Sequence, residues 1–122
     1  MSGWKLHKRS NTGTDYSLKV FPTGSVIAAG QYFIWANSTN GFSESISANV
    51  SSTETLSADN SVGLLDASGT VIDAVAWGTG TGQYGEGPPY PTDPAANQIL
   101  TRQLVDGSMV DTSDNANDFI LQ

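Results

Sequence analysis

An all-β sandwich is the fold class this sequence predicts, and three observations predict it. Apolar stretches of about six residues recur along the chain, each bounded by Gly, Pro, Asn or Asp. Nowhere do apolar residues recur at helical spacing. Charged residues make up only 14% of the 122 residues, whereas Gly, Ser, Thr and Asn are abundant, which suits turns and strands better than helices.

The clearest element is the hairpin from Ser61 to Gly78. Val62–Asp66 is a short, mainly apolar run, and Ala67-Ser68-Gly69 is turn chemistry with Gly69 free to take a positive φ. Val71, Asp73, Val75 and Trp77 share one face of the return strand; Ile72, Ala74 and Ala76 share the other. Apolar groups on both faces call for a second layer packed on this pair.

Before the hairpin, Trp4–Lys8 reads as a strand, with Trp4 and Leu6 facing one way and Lys5, His7 and Arg9 the other. A turn at Asn11–Asp15 leads to a strand over Tyr16–Phe21, with Tyr16, Leu18 and Val20 on one face. Gln31–Asn37 is apolar on both sides and is expected to be a central strand. Asn40–Asn60 is polar and aperiodic, a surface excursion. After the hairpin, Gly78–Asn97 is too rich in Gly and Pro for regular structure, and its glycines precede no GKS or GKT. Gln98–Val105 is the last clear strand, and the tail is expected to form Asx turns that end with Phe119 and Ile120 plugging the core.

The length implies one domain, residues 1–122, burying roughly two-thirds of its unfolded surface. With no Cys there is no disulfide, thiolate ligand or thiol nucleophile. No run approaches the ~18 apolar residues of a membrane helix, so no membrane insertion is expected. The start MSGWKLHKRS has no apolar core of a signal peptide, so any export signal is expected outside this chain. The net charge is −7, and four of the five basic residues (Lys5, Lys8, Arg9, Lys19) fall in the first nineteen positions. An acidic domain repels phosphate, which makes nucleic acid a poor partner.

Candidate sites are few. His7 is the single histidine and has cations beside it on its strand face, a poor setting for a general base or metal. Asp111, Ser113 and Asn115 have the spacing that opens a calcium loop, but Ala116 and Gln122 stand where Gly and Glu are needed. A looser calcium site from Asp111, Asp114 and Asp118 is the alternative, set against a structural pair between Arg102 and Asp111. Trp35, Trp77, Tyr84 and Tyr90 are binding candidates if exposed, as in sugar-stacking sandwich modules; otherwise Trp35 and Trp77 are core and the two tyrosines are loop packing.

Several stretches, in order, carry a family resemblance. Ser2-Gly3-Trp4-Lys5-Leu6 is similar to the opening of the lamin tail domain family, and Ala29-Gly30-Gln31-Tyr32 to its lead into a central strand. Val62 to Asp73 resembles its middle hairpin, Ile99-Leu100-Thr101-Arg102 a later strand, and the run from Asp111-Thr112 through Asp114-Asn115 to Asp118-Phe119 its closing motif. The resemblance implies an immunoglobulin-like β-sandwich that is not itself an enzyme. Such a module occurs in nuclear lamins and, in bacteria, in exported and cell-surface proteins. The family pattern has two strands ahead of the Ser2-Gly3-Trp4 segment, so an N-terminally shortened sandwich with an open sheet edge is expected. That edge would favour self-association or strand addition. The function implied is a non-catalytic binding or structural module, extracellular or in the cell envelope, whose partner is a protein or cell-surface polymer. The alternatives are a carbohydrate-binding module and a calcium-stabilised adhesin or surface-layer domain.

Overall fold

A four-stranded antiparallel sheet organises the computed structural model, which describes residues 1–122. In chain order the strands are β1 (Lys5–Arg9), β2 (Asp15–Val20), β3 (Trp35–Asn37), β4 (Val50–Ser52), β5 (Ser61–Leu65) and β6 (Val71–Ala76). They continue with β7 (Leu100–Arg102), β8 (Leu104–Val105), β9 (Ser108–Met109) and β10 (Phe119–Leu121). Two single-turn helices, α1 (Phe42–Ser45) and α2 (Asn115–Asp118), interrupt them. The main sheet has the order β2-β1-β5-β6, and three two-stranded ladders surround it: β3-β4, β7-β10 and β8-β9.

The β5–β6 hairpin turns as its residues dictate. Gly69 takes φ +95°, and the Asp66 carboxylate accepts from the Thr70 amide and the Ser68 hydroxyl. β1, not Gln31–Asn37, takes the inner position, paired with β2 on one side and β5 on the other. Its cations tolerate that place because their tips leave the sheet: Lys8 reaches Glu54 at 3.0 Å and the Thr55 carbonyl, and Arg9 reaches Asp15 and the Gly82 carbonyl.

Gln31–Asn37 corrects the expectation of a central strand. Only Trp35–Asn37 is laddered, in parallel with β4, and Tyr32 is 82% exposed. The Asn49 side chain accepts the Ile34 amide, ending the ladder there. An apolar run could not reveal that its one strand partner is a three-residue segment of the polar excursion, which is itself not wholly irregular.

Two bulges also reset the expected faces. Leu6 opposes Lys19 and His7 opposes Ser17, so Leu18 is the extra residue of β2. Leu18 is buried while Tyr16 and Val20 are exposed, so these three do not share a face as simple alternation requires. Ile72 is likewise extra, between the Leu64–Asp73 and Leu65–Val71 pairs, and lies exposed while Ala74 and Ala76 are buried.

The stretch Gln98–Val105 is two strands rather than one. After Arg102 the chain enters the β8–β9 hairpin, closed by Asp106 and Gly107 at φ +50° and +79°. β10 returns antiparallel to β7 and turns Phe119 towards the main sheet; Ile120 faces outward, contrary to the expected plug. The free edge of β6 is closed without a strand. The buried Asn115 amide accepts from the Ala76 N–H at 3.0 Å and donates to the Ala74 carbonyl at 3.0 Å, while the Tyr90 N–H bonds the Ala76 carbonyl.

Candidate functional site

Register sorts the main sheet into two faces. One carries His7 and Arg9 of β1, Ser61, Gly63 and Leu65 of β5, and Ala74 and Ala76 of β6. The loop after β6 lies across it and buries Tyr84 against Leu65 and Ala74. The ring sits so close over Gly63 that a Cβ there would meet its Cγ at 2.9 Å, so only glycine fits. The Tyr84 hydroxyl donates to Asp15 Oδ2, Arg9 stacks 4.0 Å from the ring centre, and His7 Nδ1 stands 2.5 Å from Asp15 Oδ1. Burial pushes the Asp15 carboxyl up, but the Tyr84 hydroxyl, His7 and Arg9 outweigh it and hold it below the usual range. Burial and Asp15 together push the Tyr84 phenol up. His7 is therefore not isolated among cations: the first hairpin places Asp15 opposite Arg9 and within reach of His7. The cluster satisfies itself and ties the loop down.

A second charged cluster lies beside β6. Arg102 Nη2 donates to Asp73 at 3.0 Å, and its Nη1 lies 3.5 Å from Asp111 and 3.6 Å from Asp118. The guanidinium also covers the Phe119 ring. Asp118 is fully buried, with its oxygens taken by the Thr112 hydroxyl and amide and by the Asp114 amide. Burial alone would raise its pKa; those donors, Thr112 first, and Arg102 hold it below the usual carboxylate range. Asp114 is turned away from them: it caps α2, accepting from the amides of Ala116 and Asn117. Of the three tail acids considered for calcium, Asp111 and Asp118 come together, joined by Glu86 in place of Asp114. Glu86 was not a sequence candidate. Its Oε2 is shielded and has no partner, and burial, then Asp73 and Asp111, push its carboxyl up.

The four aromatic candidates form no platform. Tyr84 is committed to the loop-covered face. Trp77 is buried, with Nε1 donating to the Ser57 carbonyl. Trp35 is half-buried and bonds Ser52, and Tyr90 is tied to β6 through its main chain. With Tyr84 and Trp77 buried, the four cannot form one solvent-facing row.

The opposite face of the sheet is open. A groove of about 620 Å³ runs over Val62, Val75 and Trp77, between the segment at Leu56 and the β7–β10 ladder with its Leu100 and Phe119. A smaller hollow of about 300 Å³ shares Val62, Val75 and Phe119 with it and reaches Leu6 and Leu64. Beside the main sheet the other ladders are separate pieces, and the groove lies between the β7-β10 piece and the segment at Leu56–Ala58.

Residues 1–79 match the family model described as Lamin Tail Domain. The chain belongs to the lamin tail domain family. Neither curated proteins nor solved structures gave a match. The family's immunoglobulin-like β-sandwich is the architecture seen here, as the resemblance implied. In this lamin tail domain the matched segment supplies the whole main sheet and the β3-β4 ladder. The Leu100 and Phe119 wall of the groove comes from the residues beyond it. No helix is long and apolar enough to cross a membrane.

Proposed function

We propose that residues 1–122 act as one non-catalytic interaction module of a larger, exported or cell-surface protein, and that this module binds a protein partner through its open sheet face. The observation that carries the reading is the contrast in satisfaction. The ionisable groups able to do chemistry on the covered face are spent on one another: His7 and Arg9 on Asp15, and Tyr84 on Asp15. The open face instead presents an apolar groove with no reactive group aimed into it. The family's character as an immunoglobulin-like module supports the same reading. The exported setting follows the bacterial members that the sequence resembles.

Photo-cross-linking tests it. A cross-linking residue at Leu56, on the groove rim, is expected to give adducts with a defined polypeptide, whereas one at Val71, exposed on the hairpin, gives none. Retention of the domain on a glycan panel, with no polypeptide adduct from Leu56, would replace this reading with carbohydrate binding.

A further inference from the structure

We propose that the groove takes a β-strand from a partner protein, an extended segment alternating apolar side chains with lysine or arginine. The inference rests on the interaction-module reading and names the chemistry of the partner. Three observations carry it.

The wall of the groove is an unfinished ladder. Ile99 and Gln122 donate their amides to each other's carbonyls at 2.8 Å, and the Gln103 amide bonds the Asp118 carbonyl at 2.8 Å. Antiparallel pairing alternates, so Thr101 and Ile120 form the bonded pair between them. Leu100 and Arg102 of β7, and Phe119 and Leu121 of β10, therefore direct their N–H and C=O groups out of the ladder, and no other element bonds those groups. An added strand would satisfy one such edge by β-augmentation.

The floor selects apolar side chains. An added strand presents every second residue to the sheet, where Val62, Val75 and Trp77 lie under it.

The charge beside the groove selects cations. Asp73, which lines the adjoining hollow, and Asp111 have side chains that are 53% and 62% exposed, and with the buried Asp118 they share the single guanidinium of Arg102, so the cluster stays net negative. The other cations on this face, Lys8 and Lys19, are engaged by Glu54 and by the Ser51 carbonyl. A second copy, itself carrying −7, is the wrong partner for such a surface.

The test uses the intact chain and short synthetic peptides, measured by titration calorimetry. A peptide alternating valine with lysine is expected to bind at least roughly tenfold tighter than its glutamate counterpart, with the gap narrowing in salt. N-methylation of alternate amides should abolish binding, because it removes strand pairing and leaves the side chains in place. Ile99→Lys and Leu56→Lys, at exposed rim positions, should weaken the lysine peptide at least roughly tenfold while circular dichroism stays that of the parent. Equal binding of the two peptides overturns the charge assignment; indifference to N-methylation overturns the strand mode. No peptide binding, together with polypeptide adducts from Leu56, overturns this inference and leaves the module reading standing. A concentration-dependent dimer by light scattering, lost in Ile99→Lys, puts a second copy in the groove and also overturns it.

Discussion

The two faces of the main sheet have the same floor strands and opposite fates. On one, Tyr84 is pressed onto Gly63 and its hydroxyl, Arg9 and His7 converge on Asp15. On the other, Val62 and Val75 lie under a groove flanked by the β7–β10 ladder, whose outer edges are unpaired. The covered face spends its polar groups on closing itself. The open face keeps apolar area and main-chain groups in reserve. On the proposed function, stability and recognition fall to opposite sides of one sheet, and substitutions should separate them by magnitude.

The largest effect is expected where the covered side is locked. Asn115→Ala leaves the Ala76 N–H and the Ala74 carbonyl in the interior without a partner. Each such group costs about 1–3 kcal/mol, so the variant should lose about 2–6 kcal/mol in urea unfolding. A loss below about 0.5 kcal/mol would mean that the β6 edge is solvated and that side is not sealed.

Gly63→Ala comes next. Its Cβ collides with the Tyr84 ring at 2.9 Å, an overpacking that costs about 1–3 kcal/mol. A double-mutant cycle sharpens it: in a Tyr84→Ala background the Gly63→Ala cost should largely vanish, since the colliding ring is gone. Additive costs would show that the strain lies elsewhere.

How much of this was legible depended on range. The hairpin at Gly69 was, because turn chemistry and alternation are local. The Asp15–Arg9–His7 cluster could have been found by folding Trp4–Lys8 onto Tyr16–Phe21 about the Asn11–Asp15 turn, which sets Asp15 opposite Arg9. The facing of β2 could not, because the bulge at Leu18 flips the pattern and carries no residue signature. Glu86 was hidden for another reason. It sits in the Gly- and Pro-rich loop and is brought to the tail acids by long-range main-chain bonds, the Asn115 main-chain N–H to the Glu86 carbonyl at 2.8 Å and the Ala116 N–H to the Pro88 carbonyl at 3.0 Å. The separation of the other ladders was equally hidden: the run at Gln31–Asn37 is apolar on both sides, yet ladder partners, not hydrophobicity, decide which strand is central.

A smaller effect concerns pH. Burial and the neighbouring Asp73 and Asp111 raise the Glu86 carboxyl above its ordinary 4.5. A raised folded pKa gives stability that is present below the unfolded value and lost as pH rises through the folded one. Asp15 and Asp118 run the other way: their lowered values give stability above about 3.8 that is lost as pH falls. Glu86→Gln should therefore raise the Tm at pH 7, with the gain shrinking to nothing below pH 4.5. A gain independent of pH would make it a packing effect rather than a charge effect.

The smallest expected effect is the one that most directly distinguishes the faces. Ile99 is 64% exposed and lines the groove, so Ile99→Thr should change unfolding free energy by no more than about 0.5 kcal/mol. The threonine keeps the β-branched shape and strand propensity, leaving lost apolar area as the change. If the variant instead costs as much as Gly63→Ala, the groove is closed in solution by the chain's own rearrangement. It would then be core, and the apolar floor at Val62 and Val75 would have no surface to offer a partner.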